Sequence, residues 1–224
     1  MNNKPIIIVI AGRTAAGKTV LSNLLRDKEN FYEIVSATTR DMRSGEVNGK
    51  DYHFLSVKDF EKSIDDNLFM EHVNFGGNYY GILSTEVEKA FKMDKPAVAV
   101  TEPIGIKNVE EFCEKNDWNV VKVFVSCDDE LVLERLNARF ENDVKDLNKE
   151  SDSYKNKEKS YCSRVENALV FEKENWVIPA YKTNMYDYVI KNFNDDNQDL
   201  IIQDLKKIIK KKQNKLEIGK SFKV

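Results

Sequence analysis

The stretch that decides the fold is "IIIVIAGRTAAGKTVLSNLL", residues 6–25. It opens with a continuous apolar run at 6–10, typical of a strand that is buried on both faces of a parallel sheet. Beyond the glycines, apolar residues recur at the spacing of one helix face, at Val20, Leu21, Leu24 and Leu25. The stretch therefore predicts a buried strand, a glycine-rich turn and an amphipathic helix beginning at Lys18.

The turn itself, residues 12–19, matches the pattern G-x-x-x-x-G-K-[ST] and is called the phosphate loop below. Successive backbone N–H groups at a helix N-terminus form a positive cup for phosphate. Glycine is needed where the backbone turns tightly with no room for Cβ. Lys18 is positioned to reach the outer phosphates, and the Thr19 hydroxyl is a ligand for Mg²⁺. The predicted phosphate-binding residues of this loop are Gly12, Arg13, Thr14, Ala15, Ala16, Gly17, Lys18 and Thr19. The loop alone does not name the reaction, because GTPases, ATPases and small-molecule kinases all use it.

The rest of the chain alternates strand and helix patterns. Further strands are predicted at "YEIVS" (32–36), "AVAV" (97–100), "VVKVFVS" (120–126) and "YDYVIKN" (186–192). Helices are predicted at 57–64, 131–140 and 198–212. Such alternation is typical of an α/β fold with a doubly wound parallel sheet.

Composition narrows the class of protein. The chain has 224 residues, 41% of them hydrophobic, which is enough for one generous domain. Its 35 basic and 38 acidic residues give a net charge of −3, which argues against a general nucleic-acid binder. Three cysteines share no metal-type spacing, and the apolar block at 6–10 is too short for a membrane span. We therefore expect a soluble cytoplasmic protein with reduced thiols and with no membrane or nucleic-acid partner.

One segment differs from its surroundings. Residues 141–163 are charged, rich in Ser and Asn, and almost without aliphatic side chains. That composition predicts a mobile insertion. A mobile lid over an active site is a compatible, more specific interpretation.

A second polar region points to another phosphate. Residues 36–54 read "SATTRDMRSGEVNGKDYHF", in which Arg40 and Arg43 flank a turn closed by Gly45. Two guanidinium groups can bond a phosphate bidentately, as lysine cannot. Farther along the chain come Glu71 in "FMEHV" and the tandem tyrosines of "GGNYYG", residues 76–81.

These motifs together resemble the guanylate kinase family. "SATTR", "R-x-GE-x-x-G-x-DYHF" and "GNYYG" follow one another in that family's order, and the resemblance runs from "IIIVIAG" to the final helix. It implies a P-loop NTPase-type parallel sheet flanked by helices, with an inserted GMP-binding subdomain and a lid. The implied divisions of a single domain spanning 1–224 are a core (about 1–35, 96–140 and 165–212), the subdomain (about 36–95) and the lid (about 139–165).

The resemblance also implies roles for individual residues. The phosphate of GMP would be held by Arg40, Arg43, Tyr52 and Tyr80. Ser36 and Glu71 would bind the guanine edge, and Glu102 would face the same base. A carboxylate suits guanine, whose N1–H and N2–H₂ groups form a pair of donors that adenine lacks. Arg139 and Arg164 resemble the lid arginines, and Asn192 resembles an asparagine beside the donor adenine.

The implied reaction moves the γ-phosphoryl group of ATP to GMP or dGMP, giving ADP and GDP or dGDP, with Mg²⁺ as cofactor. The acceptor oxygen is already anionic, so catalysis needs alignment and charge neutralisation rather than a general base. The predicted catalytic residues are Lys18, Arg40, Arg43, Arg139 and Arg164. We expect the subdomain and the lid to swing inward when both nucleotides bind.

Two alternatives remain open on the sequence. Ile82 occupies a position where the family usually has Ser or Thr, and Glu102 is longer than the usual aspartate. These departures permit a nucleoside monophosphate kinase with another acceptor. A guanylate-kinase-like binding module without catalysis is the other alternative, although such modules generally have a degraded phosphate loop.

Overall fold

The computed structural model describes residues 4–43 and 45–220, with side chains up to residue 213. The nine strands in this part of the chain are β1 Ile6–Gly12, β2 Tyr32–Glu33, β3 Ala37–Thr38, β4 His53–Phe54, β5 Phe69–Phe75, β6 Asn78–Leu83, β7 Ala97–Val100, β8 Asn119–Ser126 and β9 Tyr188–Lys191. Its α-helices are α1 Lys18–Glu29, α2 Val57–Asp65, α3 Ser84–Lys92, α4 Ile106–Lys115, α5 Asp129–Val144, α6 Asp152–Glu166, α7 Ile178–Lys182 and α8 Gln198–Lys220. Between α6 and α7 lie two π-helical turns, Asn167–Phe171 and Lys173–Val177.

The central sheet is parallel, in the strand order β2-β7-β1-β8-β9. Alternate residues of β1 enter two apolar clusters, one on each face of the sheet. Helices α1, α5 and α8 supply the first cluster, and α3, α4 and α7 supply the second. Burial on both faces explains why β1 is a continuous apolar run. The predicted α/β fold with a parallel sheet flanked by helices is confirmed.

The strand order places the phosphate loop at a switch point of the sheet. The chain leaves β1 between β7 and β8, so the loop opens at the carboxyl ends of neighbouring strands, where α/β folds bind ligands. Gly12 is required at the exit: its φ is +151°, and a Cβ there would overlap the carbonyl oxygen of Val125. The N–H of Arg13 donates to that same carbonyl at 3.0 Å.

A second sheet, in the order β4-β3-β6-β5, stands beside the first. Pairs β3·β6 and β5·β6 are antiparallel. Its outer layer is an aromatic stack in which Phe60 of α2 packs on Phe69 and Tyr79, with ring centroids 4.4 and 5.2 Å away. This sheet carries the tyrosine and glutamate motifs into the space over the phosphate loop.

The segment at 141–163, whose composition predicts a mobile insertion, is mostly helical. Helix α5 continues to Val144, and α6 begins after Ser151, whose hydroxyl accepts from the N–H of Tyr154. Packing between the two helices uses aromatic rings: Phe140 lies 4.8 Å from Tyr161 and 5.8 Å from Tyr154, measured between ring centroids. The composition suggested disorder because aliphatic side chains are few, while Lys and Glu favour helix and the aromatic rings supply the contact between the helices.

Other predicted elements are present with small shifts. The strands at 97–100 and 120–126 and the helices at 57–64, 131–140 and 198–212 are confirmed, most of them extended by one or more residues. The strand predicted at 32–36 is only two residues long, although the N–H of Ile34 still donates to Val98 O at 2.8 Å. Among the described residues, none of the helices is both long and apolar enough to span a bilayer.

Candidate functional site

A cleft of about 410 Å³ lies between the phosphate loop, the second sheet and the helix pair α5–α6. It gathers predicted site residues that are more than a hundred positions apart in sequence. Those lining it are Thr14, Ala15, Ala16, Gly17, Lys18, Thr19, Ser36, Arg40, Arg43, Tyr52, Glu71, Tyr80, Glu102, Arg139 and Arg164. Gly12, Arg13 and Asn192 are absent from the lining.

The floor of the cleft is the phosphate loop. It bends through positive φ at Ala15 (60°) and Gly17 (101°), and α1 begins at the next residue. The Lys18 ammonium donates to the carbonyls of Gly12 at 2.8 Å and Arg13 at 3.2 Å, so it curls over the loop. Thr19, in the first turn of α1, is exposed to the cleft. The loop thus offers an aligned helix N-terminus, an ammonium and a hydroxyl, the groups that bind a polyphosphate.

Arg13 points away from the cleft and anchors the loop from behind. Its guanidinium is 2% exposed and donates to the carbonyls of Ala168 (2.9 Å) and Cys127 (2.8 Å). It also pairs with Asp129 at 2.6 Å. Only the backbone of Arg13 therefore remains available to a nucleotide.

Glu172 completes this anchor and was not predicted from the sequence. It is fully buried, and its carboxylate accepts from the N–H of Thr14 at 2.7 Å and from the Thr14 hydroxyl at 2.6 Å. A second unpredicted residue, Arg135, donates to the carbonyls of Ala15 at 2.8 Å and Phe193 at 3.2 Å. The shape of the phosphate loop is therefore determined by side chains from α5 and from the π-helical segment.

Replacing Glu172 with alanine is expected to lower the free energy of unfolding by about 2–4 kcal/mol, because two half-buried donors of Thr14 lose their acceptor and a cavity forms at the buried Glu172 position. Urea denaturation measures the change. Exposed Glu174 is the matched control, for which Glu174→Ala should stay within about 0.5 kcal/mol of the wild type. Equal stability of the two variants would show that the Glu172 anchor contributes little.

One wall of the cleft is a cluster of four arginines: Arg40, Arg43, Arg139 and Arg164. Arg40 is held by Glu46 through a two-bond pair of 2.8 and 3.0 Å, and this pairing raises its pKa against the effect of burial. Burial lowers the pKa of Arg43, Arg139 and Arg164, and repulsion from a neighbouring arginine lowers each further. Among the described residues, Arg139 and Arg164 have no ion-pair partner within 4.0 Å. Mutual repulsion with few counter-charges makes this wall a strong attractor of anions.

The opposite end of the cleft is acidic and buried. Burial raises the pKa of Glu71 to about 7, an effect that the hydroxyl of Thr101 opposes and the charge of Glu102 reinforces. Burial also raises the pKa of Glu102, while Lys18 lowers it. Ser36 lies nearby, with its hydroxyl donating to Val100 O at 3.3 Å. This end therefore offers hydrogen-bond acceptors inside a dry pocket, which favours a ligand edge that carries N–H donors.

Tyr52 and Tyr80 connect the two ends. Their rings lie 6.5 Å apart in an edge-on arrangement, and the Arg40 guanidinium lies 5.3 Å from the centre of the Tyr52 ring. Burial raises the pKa of Tyr52 to about 12 and raises that of Tyr80. Both phenols thus keep their protons at neutral pH and remain donors toward an anion.

Asn192 lies at the end of β9, at the same edge of the sheet but outside the cleft lining. It adopts a left-handed φ of 52°, and its amide exchanges hydrogen bonds with Asp128 at 2.7 and 3.0 Å. The Asn192 carbonyl accepts from the Asn197 side chain at 2.9 Å. The structure therefore places Asn192 in a polar loop behind the phosphate loop, with its amide already engaged.

For a divalent cation, the donor set at the phosphate loop is sparse. Among the described residues, no group of three or more His, Cys, Asp or Glu side chains is arranged to hold a metal. The Thr19 hydroxyl at the start of α1 is an oxygen donor beside the loop. Such a site fits Mg²⁺, which usually takes one or two protein oxygens, substrate phosphates and water.

Comparisons with known proteins agree with this geometry. The family model described as guanylate kinase matches residues 2–175. A guanylate kinase of Clostridium perfringens (strain SM101) is 40% identical over 111 residues, which are 49% of this chain and 51% of that protein. The chain thus spans about half the length of the first of these curated relatives. A guanylate kinase of Chlamydia trachomatis (serovar D) is 33% identical over 191 residues, covering 84% of this chain and 80% of that protein. Among solved structures, guanylate kinase from Anaplasma phagocytophilum is similar with a TM-score of 0.61, at 25% identity, over 91% of this chain and 86% of that chain.

Proposed function

Because this chain belongs to the guanylate kinase family, we propose that it transfers the γ-phosphoryl group of ATP to GMP or dGMP. The products are ADP and GDP or dGDP. The observation that carries this proposal is one cleft that joins a phosphate loop at its floor, four arginines on one wall, the buried carboxyl group of Glu71 and the half-buried one of Glu102. Two nucleotides meeting phosphate to phosphate fit that distribution of charge.

ATP binds at the phosphate loop. The backbone N–H groups at the start of α1 bind its phosphates, and Lys18 moves from the loop carbonyls to the β- and γ-phosphoryl oxygens. Thr19 is the protein ligand for Mg²⁺, which neutralises phosphate charge when it is bound. Asn192 lies near the adenine in this proposal, with its side-chain amide hydrogen-bonded to Asp128.

GMP binds across the rest of the cleft. Its phosphate meets Arg40, Arg43, Tyr52 and Tyr80, which together supply two cations and two phenolic donors. Its base lies at the acidic end, where Glu71 accepts from N1–H and N2–H₂, with Ser36 and Glu102 beside it. Adenine lacks that donor pair and would leave the buried carboxylate unpaired.

In the transfer step, an oxygen of the GMP phosphate forms a bond to the γ-phosphorus of ATP. The bond from that phosphorus to the β–γ bridging oxygen breaks, and ADP leaves with the electron pair. The attacking oxygen is anionic, so no proton has to be removed. Lys18, Arg139 and Arg164 surround the migrating group and neutralise its charge.

Closure of the cleft accompanies binding in this proposal. The subdomain (about 36–95) and the lid (about 139–165) move toward the core of the single domain, which comprises about 1–35, 96–140 and 165–212. The lid carries Arg139 and Arg164 toward the phosphates, and closure excludes water as a competing acceptor.

Free thiols at Cys113, Cys127 and Cys162 support a reducing, cytoplasmic location.

An acceptor assay tests the proposed function. The protein with Mg²⁺ and ATP is offered GMP, dGMP, AMP, UMP and CMP in parallel, and ADP formation is followed with a coupled reaction. We expect kcat/KM for GMP and dGMP to exceed the other three by about a thousandfold or more. A preference for another nucleotide would identify a monophosphate kinase of different specificity, as Ile82 permits. No turnover with any acceptor would favour the non-catalytic binding module.

A further inference from the structure

The carboxylate of Glu71 is held by the protein at one of its two oxygens. Oε1 accepts from the Thr101 hydroxyl at 2.8 Å. Oε2 is buried and has no hydrogen-bond partner among the described residues. Glu71 is 3% exposed and Thr101 is 6% exposed. A buried acceptor without a partner is costly, and at a cleft it marks a place where a ligand donor binds.

A β-bulge directs Glu71 into the cleft. The β5·β6 register pairs Phe69 with Leu83 and then Glu71 with Ile82, so Met70 is the extra residue. Met70 and Glu71 are consecutive and both buried, and the register shift lies between Phe69 and Glu71. Bulges commonly redirect side chains beside active sites. Ile82, directly opposite Glu71 and fully buried, offers no hydrogen bond from its side chain.

Gly105 leaves the space that the carboxylate occupies. A Cβ at this position would lie 2.5 Å from Oε2 of Glu71 and 2.8 Å from the Thr101 hydroxyl. The backbone of Gly105 is in the ordinary helical region, with φ −82° and ψ −15°, so glycine is needed here for space and not for conformation. Three features therefore shape the pocket around Glu71: the bulge in β5, the hydroxyl of Thr101 and the lack of a side chain at Gly105.

We propose that Thr101 is a positioning residue for base recognition, whose hydroxyl orients the Glu71 carboxylate so that Oε2 faces the base edge of the acceptor nucleotide. This inference rests on the proposed function, since it assumes a base with N–H donors at that end of the cleft. The hydrogen bond from Thr101 also favours the ionised carboxylate, the form that accepts two N–H groups.

The groups around Glu71 make the role of Thr101 measurable through the pKa of the Glu71 carboxyl group. Glu102, which follows Thr101 in the chain, is the charged group that raises the pKa of Glu71. On β6 the facing residue is the apolar Ile82, and on the turn before α4 it is Gly105. Without the Thr101 hydroxyl, burial and Glu102 act unopposed, and the pKa of Glu71 rises further.

The test uses Thr101→Val, which removes the hydroxyl at nearly constant volume, in the full-length protein. We expect KM for GMP to rise about tenfold while KM for ATP stays within about twofold, as for loss of one hydrogen bond to a charged group. The acid limb of kcat/KM for GMP should move to higher pH. Thr101→Ser should restore both values, and the exposed Thr85→Val serves as the matched control.

Different results would overturn the positioning role of Thr101 and the proposed guanylate kinase activity. An unchanged KM for GMP in Thr101→Val, or a Thr101→Ser variant as impaired as valine, would overturn the positioning role. ¹³C NMR titration of the Glu71 carboxyl in the nucleotide-free protein gives a readout that needs no activity. We expect its pKa to rise in Thr101→Val, and an unchanged titration would also overturn the inference. Absence of GMP turnover in the wild type, by contrast, would count against the proposed function alone.

Discussion

Replacing Lys18 with alanine lowers kcat at saturating ATP and GMP by about a hundredfold or more, because one preorganised charge beside the migrating phosphoryl group is lost. Lys18 is the ammonium of the phosphate loop and lies in the same cleft as all four arginines. Among the described residues, the hydrogen bonds of its ammonium go to the loop carbonyls of Gly12 and Arg13. Its loss should therefore leave the fold intact, since the loop is anchored independently by Arg13 and Glu172.

The measurement combines steady-state kinetics with a thermal melt of the same preparation. Lys28→Ala, a change at the exposed end of α1, is the matched control and should keep wild-type kcat. A Lys18→Ala variant that is folded and retains turnover within about tenfold of the wild type would contradict the assigned role.

Replacing Glu71 with glutamine weakens GMP binding by about a hundredfold or more, because an acceptor that faces two N–H groups becomes partly a donor. ATP binding should stay within about threefold, since Glu71 lies on β5 and is hydrogen-bonded to Thr101 rather than to the phosphate loop. Isothermal titration calorimetry with each nucleotide separates the two effects. Glu88→Gln, an exposed carboxylate on α3 in the same subdomain, is the matched control.

The pH dependence of GMP binding follows from the same carboxyl group. The pKa of Glu71 in the free protein is about 7, and bound guanine favours the ionised form. Affinity for GMP should therefore fall by about tenfold per pH unit as the pH drops below 7, and level off above it. The second ionisation of the GMP phosphate is common to wild type and Glu71→Gln, so the difference between their pH profiles isolates Glu71.

The pH dependence of folding stability runs opposite to that of GMP affinity: ionisation of Glu71 favours GMP binding but destabilises the fold. Burial raises the folded-state pKa of Glu71 above its ordinary value of 4.5, so ionisation destabilises the fold increasingly as the pH rises from 4.5 to about 7. Glu71→Gln should therefore be more stable than the wild type at pH 8, by about 3 kcal/mol at most, and nearly equal at pH 4.5. Unchanged GMP affinity in Glu71→Gln, together with equal stability at pH 8, would remove Glu71 from base recognition.

The sequence predicts the central sheet and the phosphate loop well, for a physical reason. Strands that are buried on both faces appear in the sequence as continuous apolar runs. The loop at 12–19 can adopt few backbone conformations that join a strand before it to a helix after it. The two arginines of 36–54 were likewise recognisable, because bidentate anion binding requires that residue type. All of these features are local in the chain.

Features that depend on distant contacts were missed. Strands β3 and β4 have two residues each, too few to show any periodicity, so this half of the second sheet was invisible as a pattern. Strands β5 and β6, with seven and six residues, were not predicted as strands either. Glu172 acts on Thr14 across 158 positions and Arg135 acts on Ala15 across 120, and neither stands in a motif. The role of Thr101 depends on its hydrogen bond to Glu71, which follows a β-bulge in β5, and neither feature can be read from the sequence around Thr101.

Crystals of the protein with a non-hydrolysable ATP analogue and GMP test the central claim most directly. We expect the triphosphate on the N–H groups of the phosphate loop beside Lys18, and the GMP phosphate between Arg40 and Arg43. The guanine edge should lie against Glu71, with N1–H and N2–H₂ within hydrogen-bond distance of the carboxylate. A structure with no nucleotide at Lys18, or with none beside Arg40 and Arg43, would contradict the account.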